Sequence, residues 1–492
     1  MRDLMRCWCR VALSLGNVDI DRMSMIPLFG LGQAGKSPFV TAKQMTNVYA
    51  EIRPQGEKSS LVAYGTPGLD LFVDFGATPP RGGLEFPSLS VCFVVHRGVL
   101  WEVNNAGVAT NRGILSTTTG RVDMESNGVQ VMIVDGTYGY IYNTSTNVFA
   151  TITDPDFPAN PVTVAYLGRR FVVNFNGSGR FYCSDIDNGL SWDALNFASA
   201  ETNPDPIVAV WVSNGQLALL GTKTTEYWGL SGAVDFPYSL IAGTAQEWGL
   251  AATWSLAKFD NSMCGLFKND QGQVMVARMN GYVPQKISTP DMDSIINGYT
   301  NTADATAYSY LLGGHTMYVI SFPSAGESWM FDGSTGFWSK LKSYGLTRYR
   351  GEFAFPFLSA IVVADYNTGR LYRMNANSYT DNGDPIEREI IGETLRSPDG
   401  NFMDINTVRV DMEVGMGLTS GQGVDPQIAL SISRDNGNTW GPDMWKAAGK
   451  IGEYATRVEW RRLGSPRVFT PKLRLTDPVP FCIVSASVNP AN

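Results

Sequence analysis

One pattern recurs through most of the chain from about residue 85: an alternating apolar strand, a tight turn, and a second strand that ends in an aromatic residue. Gly128–Ile152 (GVQVMIVDGTYGYIYNTSTNVFATI) and Ser359–Asn375 (SAIVVADYNTGRLYRMN) are two examples. The turns hold Asp-Gly, Asn-Gly or Asn-Thr-Gly, residues that tolerate the positive φ of tight hairpins. The pattern therefore predicts consecutive antiparallel hairpins.

These units return every ~40–50 residues, which is the period of a four-stranded propeller blade. Each blade is a short sheet with two apolar faces. Stacking blades around an axis covers both faces and leaves only short sheet edges. We therefore predict a β-propeller of about seven blades over residues 46–384.

A second all-β domain follows the repeat. After the linker-like NANSYTDNGDPIEREI, strictly alternating segments such as INTVRVDMEVGM and PQIALSISRDNGNTW predict an antiparallel sandwich or barrel over residues 385–492. The composition agrees, because 492 residues exceed one ordinary domain and 44% of them are hydrophobic. The 51 glycines favour turns, and the 12 Trp, 20 Tyr and 24 Phe favour strands.

The net charge of −8 makes the chain a poor candidate for wrapping nucleic acid. An acidic surface would still suit a wall that faces DNA without gripping it. No apolar run approaches the length of a membrane-spanning helix, so we expect no membrane-spanning segment.

Cysteine and histidine usage gives no chemical site. Six cysteines in a chain of this length are no disulfide framework, and the Cys7–Cys9 pair lacks a second pair at ligand spacing. The two histidines, His96 and His315, have no partners for a triad or a metal site, so we expect buried or turn histidines. We predict no catalytic residue, no cofactor and no metal.

The N-terminal residues 1–45 are expected to form an arm. The segment before Met23 is either an upstream extension or a part that orders on assembly. Within the arm, Gly30–Ser37 (GLGQAGKS) fits the phosphate-loop pattern, which requires a preceding strand and a following helix. Pro27 and Pro38 argue against both elements. We favour a glycine-rich arm, with a nucleotide hydrolase as an alternative.

Two segments predict structural hairpin turns of the Asp-box type. Ser433–Trp440 (SRDNGNTW) fits S-x-D-x-G-x-T-W, and Asp185–Trp192 (DIDNGLSW) is a weaker copy. The aspartate accepts from turn N–H groups, the glycine takes a left-handed conformation, and the tryptophan packs over the turn. The residues assigned to these turns are Ser433, Asp435, Gly437, Trp440, Asp187, Gly189 and Trp192.

Asp-boxes also occur in sialidases, which leaves a glycan-binding or glycosidase-like propeller as an alternative. Such an enzyme needs an arginine cluster, a tyrosine nucleophile and acidic partners. A cluster of acidic and arginine side chains around one mouth of the propeller would favour it.

A basic stretch near the C-terminus stands out in this acidic chain. It contains one acidic residue, Glu459, and six basic residues: Arg457, Arg461, Arg462, Arg467, Lys472 and Arg474. These residues are either the solvated face of strands or a docking patch for an acidic partner or DNA phosphate.

Several segments together resemble one family, the packaged-DNA stabilisation proteins of short-tailed phages, also called tail hub or nozzle proteins. In chain order they are Asn47–Phe72, Thr224–Ala252, Asp304–Leu341, Ser433–Gly441 and Val458–Pro480. The segment before Met23 departs from the family pattern.

The resemblance implies a structural virion protein, made in the host cytoplasm and located in the phage tail. Six copies would form a ring below the portal and its head–tail adaptor. The ring would continue the DNA channel, touch the genomic DNA passively, retain it, and offer sites for tail fibres, spikes or a needle. No catalytic residue is implied.

Overall fold

The structure is a computed structural model that describes residues 26–27, 33, 35–37, 41–54, 60–200, 202–203, 205–233, 236–397 and 399–490. Strands dominate the described part. Its one α-helix, Pro290–Ile296, begins after Thr289, whose side chain accepts a hydrogen bond from the backbone N–H of Met292. Three 3-10 turns are Pro87–Leu89, Thr253–Ser255 and Pro323–Ala325.

Seven antiparallel sheets follow one another in the described chain, and we number them as blades 1 to 7. Blade 1 consists of Pro80–Phe86, Val91–His96, Val99–Asn104 and Ala109–Ile114. Blade 2 consists of Asp123–Ser126, Gln130–Val134, Gly139–Asn143 and Val148–Thr151. Blade 3 consists of Pro161–Leu167, Arg170–Phe175, Arg180–Asp185 and Asn188–Ser199. Blade 4 consists of Ile207–Ser213, Gln216–Gly221, Thr225–Leu230 and Tyr238–Leu240. Blade 5 consists of Gly249–Leu250, Ala257–Phe259, Ser262–Lys268, Val274–Asn280 and Val283–Lys286. Blade 6 consists of Thr306–Leu312, His315–Phe322, Glu327–Asp332 and Trp338–Leu341. Blade 7 is Gly351–Phe357, Ala360–Asp365, Arg370–Asn375 and Gly68–Asp74, beside the short strands Thr380–Asp381 and Asp384–Pro385.

The blades form a closed ring. Inner strands of neighbouring blades contact each other, and Gly351–Phe357 of blade 7 contacts Pro80–Phe86 of blade 1. Between blades 4 and 5 the contact is made by Gln216–Gly221 and Gly249–Leu250. The outer strand of blade 7, Gly68–Asp74, comes from the beginning of the propeller and pairs antiparallel with Arg370–Asn375. Ring closure therefore rests on strand pairing between two distant parts of the chain.

A hydrophobic cluster lies between each pair of neighbouring blades. Between blades 7 and 1, for example, Val94 packs with Phe355 and Val362, all buried. Burying one such side chain contributes about 1.5–3 kcal/mol. The seven interfaces together hold the ring, which explains why both faces of each blade are apolar.

The C-terminal domain is a sandwich of two sheets around one core. One sheet holds Val48–Ile52, Leu61–Gly65, Cys482–Pro490, Ile405–Met412 and Val458–Gly464, with Ile26–Pro27 paired to Cys482–Pro490. The other holds Arg388–Ile391, Val468–Leu475, Gln427–Ser433 and Met444–Ala447, with Leu395–Arg396 paired to Val468–Leu475. The strand Gln44–Thr46 joins this second sheet to blade 6, parallel to Trp338–Leu341 and antiparallel to Arg388–Ile391.

The strands Val48–Ile52 and Leu61–Gly65 therefore lie in the sandwich, whereas the prediction placed the propeller from residue 46 onward. Val48, Ala50 and Ala63 are buried in the sandwich core. Both strands belong to the sandwich sheet, in which Cys482–Pro490 pairs with Leu61–Gly65. The first strand in a blade is Gly68–Asp74.

Asn47 links the two domains. It is 1% exposed and has a left-handed backbone, φ +53°. Its side-chain Nδ2 donates to the carbonyls of Lys342 and Glu387, both at 2.8 Å, and its Oδ1 accepts from the Lys342 N–H at 2.9 Å. One buried side chain thus bonds to the end of blade 6 and to the start of the sandwich.

Closure of the ring predicts a cost for Gly68→Ala. A Cβ at residue 68 would lie within 2.6 Å of the Ser378 carbonyl oxygen, a backbone atom that the closing strand cannot displace cheaply. We expect a loss of about 1–3 kcal/mol in the free energy of unfolding, measured by urea denaturation followed by tryptophan fluorescence.

Gly229→Ala is the matched control, because it also lies in a blade strand and its added Cβ would meet Ile241 at an ordinary 3.4 Å. We expect it to be neutral or slightly stabilising. Equal effects of the two substitutions would contradict the closure argument.

Candidate functional site

The turn Ser433–Trp440 forms a hydrogen-bonded clasp. Asp435 accepts from the Thr439 N–H at 2.8 Å, from the Thr439 hydroxyl at 2.6 Å and from the Ser433 hydroxyl at 2.7 Å. The Gly437 N–H donates to the Ser433 oxygen at 2.7 Å, and Gly437 has φ +88°. Trp440 lies beside Gly437, and its ring also receives the Lys472 ammonium at 4.5 Å.

The second predicted Asp-box has different hydrogen bonds. Asp187 accepts from the Tyr166 hydroxyl at 2.9 Å and pairs with Arg169, both on the neighbouring hairpin. The Ser191 hydroxyl donates to Asp185 instead of Asp187. The Trp192 indole N–H donates to the Gly189 carbonyl at 2.9 Å. This turn is therefore not a copy of the clasp, because Arg169 and Tyr166 compete successfully for its carboxylate.

Other buried aspartate turns lie outside the two Asp-box segments named above. Asp135, Asp332 and Asp365 are buried at strand ends, and each accepts from a backbone N–H two residues later. Asp332 also accepts from His315 at 2.9 Å. The local signal is an aspartate followed by small polar residues, a pattern that ordinary hairpin turns share.

The basic stretch Arg457–Arg474 does not form one patch. Its members divide between the two sheets, since Lys472 and Arg474 lie on Val468–Leu475. Lys472 is 3.5 Å from Glu389, and Arg474 pairs with Glu387 and Asp443. Two further members, Arg457 and Arg467, are exposed, and Arg467 stacks over the Phe402 ring at 4.7 Å.

Arg461 and Arg462 instead line a hollow of about 570 Å³ beside the clasp. Arg434 and Trp440 of the Asp-box segment also line it. Arg434 was missed as a candidate because it occupies a variable position of the Asp-box pattern. We call this hollow the arginine groove.

The propeller axis holds a second cavity, of about 380 Å³, lined by inner strands of all seven blades. Arg121 lies in it between the rings of Phe353, at 4.6 Å, and Trp254, at 5.1 Å. Its Nε and Nη1 have no hydrogen-bond partner among the described residues. The guanidinium and its two rings obstruct the axis.

Two carboxyl groups share this cavity. Asp123 accepts from the N–H groups of Val164 and Met124, and Glu125 accepts from the Ser126 N–H. Burial raises the pKa of Asp123 to about 6 and that of Glu125 to about 7.

This cavity does bring acidic and arginine side chains together, which is the feature that would favour a glycosidase. However, one arginine alone lines it among the described residues, and both oxygens of Asp123 are already occupied. The described residues contain no group of three or more His, Cys, Asp and Glu able to hold a metal ion. His96 and His315 are both buried, as predicted.

The described part of the phosphate-loop-like segment contacts the helix Pro290–Ile296. The Lys36 N–H donates to the Asp291 carboxylate at 2.9 Å, and Gln33 donates to Thr289. A carboxylate thus occupies a backbone donor that would have to face a phosphate. Residues 41–43 have no regular secondary structure and Gln44–Thr46 is a strand, where a phosphate loop needs a helix.

Two family models cover almost all of the described chain. The bacteriophage P22 Gp10 β-propeller matches residues 24–379, and the bacteriophage P22 Gp10 β-sandwich matches residues 387–490. The chain belongs to the bacteriophage P22 Gp10 family. It is a structural protein of the phage tail and a component of the virion. The predicted family, and the predicted propeller followed by a sandwich, are confirmed.

Comparisons with curated sequences and with solved structures add no further argument. No curated protein sequence matches the chain. The extracellular domain of the BT4673 two-component system from B. thetaiotaomicron is 11% identical over 71% of this chain, with a TM-score of 0.44, and this chain spans 46% of that domain. A chain of the mitotic checkpoint complex and the N-terminal domain of Nup159 each cover 66% of this chain at a TM-score of 0.40, with 13% and 11% identity, over 97% and 98% of their own lengths. In the described residues, no helix has the length and apolarity to cross a membrane.

The clasp predicts a pH-dependent effect of Asp435→Asn. Hydrogen bonds from Thr439 and Ser433 lower the pKa of Asp435 to about 2. Since the folded pKa lies below the unfolded value, the carboxylate stabilises the fold above about pH 4, and this contribution is lost as pH falls towards 2. The variant should unfold at lower urea than the parent at pH 6, and the difference should shrink at low pH. Asp270→Asn, at an exposed carboxylate, is the control, and a pH-independent difference would contradict the argument.

The axial cavity predicts the opposite sign for Glu125→Gln. Because the folded protein binds this proton more tightly than the unfolded chain, stability falls as pH rises from about 4.5 to about 7. The amide removes this penalty, so the variant should match the parent near pH 4 and exceed it above pH 7, by up to roughly 3 kcal/mol. Urea unfolding at both pH values, with exposed Glu247→Gln as control, measures the difference; a variant less stable than the parent above pH 7 would refute the argument.

Proposed function

We propose that copies of this chain form the tail hub, or nozzle: a ring below the portal and head–tail adaptor that continues the DNA channel. The observation that carries the proposal is the family match over both domains, end to end. Retention of the packaged genome and docking of tail fibres, spikes or a needle belong to the same proposal. The chain acts as scaffold and carries no catalytic step.

The obstructed axis of the propeller supports a ring of several copies. The axial cavity has the volume of a small-molecule pocket, and Arg121 with its two aromatic rings lies across it. Genomic DNA therefore cannot pass along the axis of a single propeller, and has to pass through an opening that several subunits enclose. A cyclic assembly supplies such a passage, with one face of each subunit meeting a different face of the next.

The charge of the chain supports passive contact with DNA. With 46 acidic and 38 basic residues, the average surface repels phosphate, so a duplex can slide along it. The rigid connection through Asn47 and Gln44–Thr46 supports a docking role, because a partner held by the sandwich is then fixed relative to the propeller.

Assembly of the purified chain tests the proposal. Mass photometry and electron cryo-microscopy, on the chain alone and mixed with portal–adaptor complexes, should detect a ring of six copies, formed alone or on the adaptor. The surface around its central hole should be mainly carboxylate.

The same chain without adaptor, and the adaptor without the chain, are the controls. A chain that stays monomeric in the presence of the adaptor would refute the hub role. A hole lined mainly by Lys and Arg would refute passive contact with DNA.

A further inference from the structure

The arginine groove is built by an irregularity in one sandwich strand. Within Val458–Gly464, Arg461 pairs with Thr407 and Gly464 pairs with Ile405, so the strand carries one extra residue at this point. Side chains alternate between faces in a regular strand. The bulge breaks this alternation, and Arg461 and Arg462 both become exposed and both line the groove.

The bulge is held against a conformational cost. Arg462 has φ +62°, in the left-handed region that costs a residue with a Cβ roughly 1–2 kcal/mol. Strained backbone of this kind concentrates at functional sites, where it aims a side chain. The cost at Arg462 is explained if its guanidinium is needed in the groove.

The positive charge of the groove is not neutralised by its surroundings. Arg434 and Arg462 are exposed and have no polar partner among the described residues. Arg461 alone has one, Glu459 at 2.5 Å. The nearby carboxylate of Asp435 is engaged in the clasp. Two guanidinium groups without a polar partner among the described residues thus line the groove of an acidic protein.

We propose that the arginine groove binds an acidic segment of another tail protein, one that presents carboxylates together with an apolar side chain. The carboxylates would pair with Arg434 and Arg462, since guanidinium groups bind carboxylates in bidentate geometry. The apolar side chain would pack on Ile432, Met444 and Leu463, which line the same hollow. This proposal rests on the docking role proposed above and names the chemistry of the partner.

The shape of the site favours a polypeptide over DNA. A duplex is bound by many cations spread over a broad surface, because affinity grows with the number of phosphates neutralised. Here the arginines flank a hollow of about 570 Å³ with an apolar lining, which a phosphate backbone would leave unused. Arginine and tryptophan around a pocket are also the residues that dominate protein–protein binding energies.

Fluorescence anisotropy with the full-length protein tests the proposal. The probes are a labelled peptide of alternating Glu and Leu, the same peptide with Lys in place of Glu, and a labelled DNA duplex. We expect the acidic peptide to bind, with affinity falling as salt rises, and the lysine peptide not to bind. The double variant Arg434→Gln/Arg462→Gln should weaken binding at least about tenfold. Arg457→Gln, at an exposed arginine outside the groove, should bind as the parent does.

Arg462→Gly separates binding from folding. It removes the guanidinium and relieves the left-handed strain, so peptide affinity should fall while the urea midpoint stays equal or rises. A lower midpoint would mean that Arg462 serves the fold instead. Absence of acidic-peptide binding at millimolar concentration, or parental affinity in the double variant, would overturn the proposal.

Two other occupants have distinct signatures. Duplex binding as tight as peptide binding, and lost in the double variant, would assign the groove to DNA phosphate. Self-association lost in the same variant would assign it to a second copy, and either result would overturn the proposal. Ring assembly on the adaptor is measured in parallel: a ring without peptide binding refutes the groove alone, whereas failure to form a ring refutes the hub role.

Discussion

The four strands between Gln44 and Asp74 are the constraint on which both domains depend. The first bridges blade 6 and the sandwich, the next two belong to the sandwich, and the last closes blade 7. The backbone pairing of these four strands is complete only when both domains are folded. The strand that closes the propeller, Gly68–Asp74, directly follows a strand of the sandwich in the chain. The two domains therefore form one cooperative unit, in which closure of the ring requires contacts between residues far apart in sequence.

This arrangement makes the junction stiff. Asn47 is buried, left-handed and bonded on both sides, and replacing it would leave carbonyls of both domains without their donor. The neighbouring strand Gln44–Thr46 makes blade 6 and one sandwich sheet continuous. A load or a partner on the sandwich is thereby transmitted to the propeller through backbone hydrogen bonds, not through a flexible linker.

Sequence reasoning succeeded where the deciding interactions are local. The alternation of each hairpin and its turn residues predicted the blades, and SRDNGNTW predicted the clasp at Asp435, whose hydrogen-bond partners lie within four residues. It failed where a distant part of the chain decides. Strand Leu61–Gly65 has the alternation of a blade strand, but it lies between Val48–Ile52 and the distant Cys482–Pro490 in the sandwich. Asp187 has the Asp-box spacing, yet Arg169 on another hairpin takes its carboxylate.

The basic stretch shows the same limit at the site. Arg461 and Lys472 are close in sequence, but they sit on consecutive strands of opposite sheets, where Glu389 lies beside Lys472. Arg434 is further away in sequence, yet it lines the same groove as Arg461. The number of basic residues in the sequence stretch is therefore larger than the number that share one surface, because the sandwich fold brings only a few arginines to one hollow. The bulge at Arg462 exposes two consecutive arginines there, whereas a regular strand would have turned one of them inward. Arg434, Arg461 and Arg462 thus gather at a small concave site in an acidic protein, which is the arrangement that the proposed docking of an acidic partner requires.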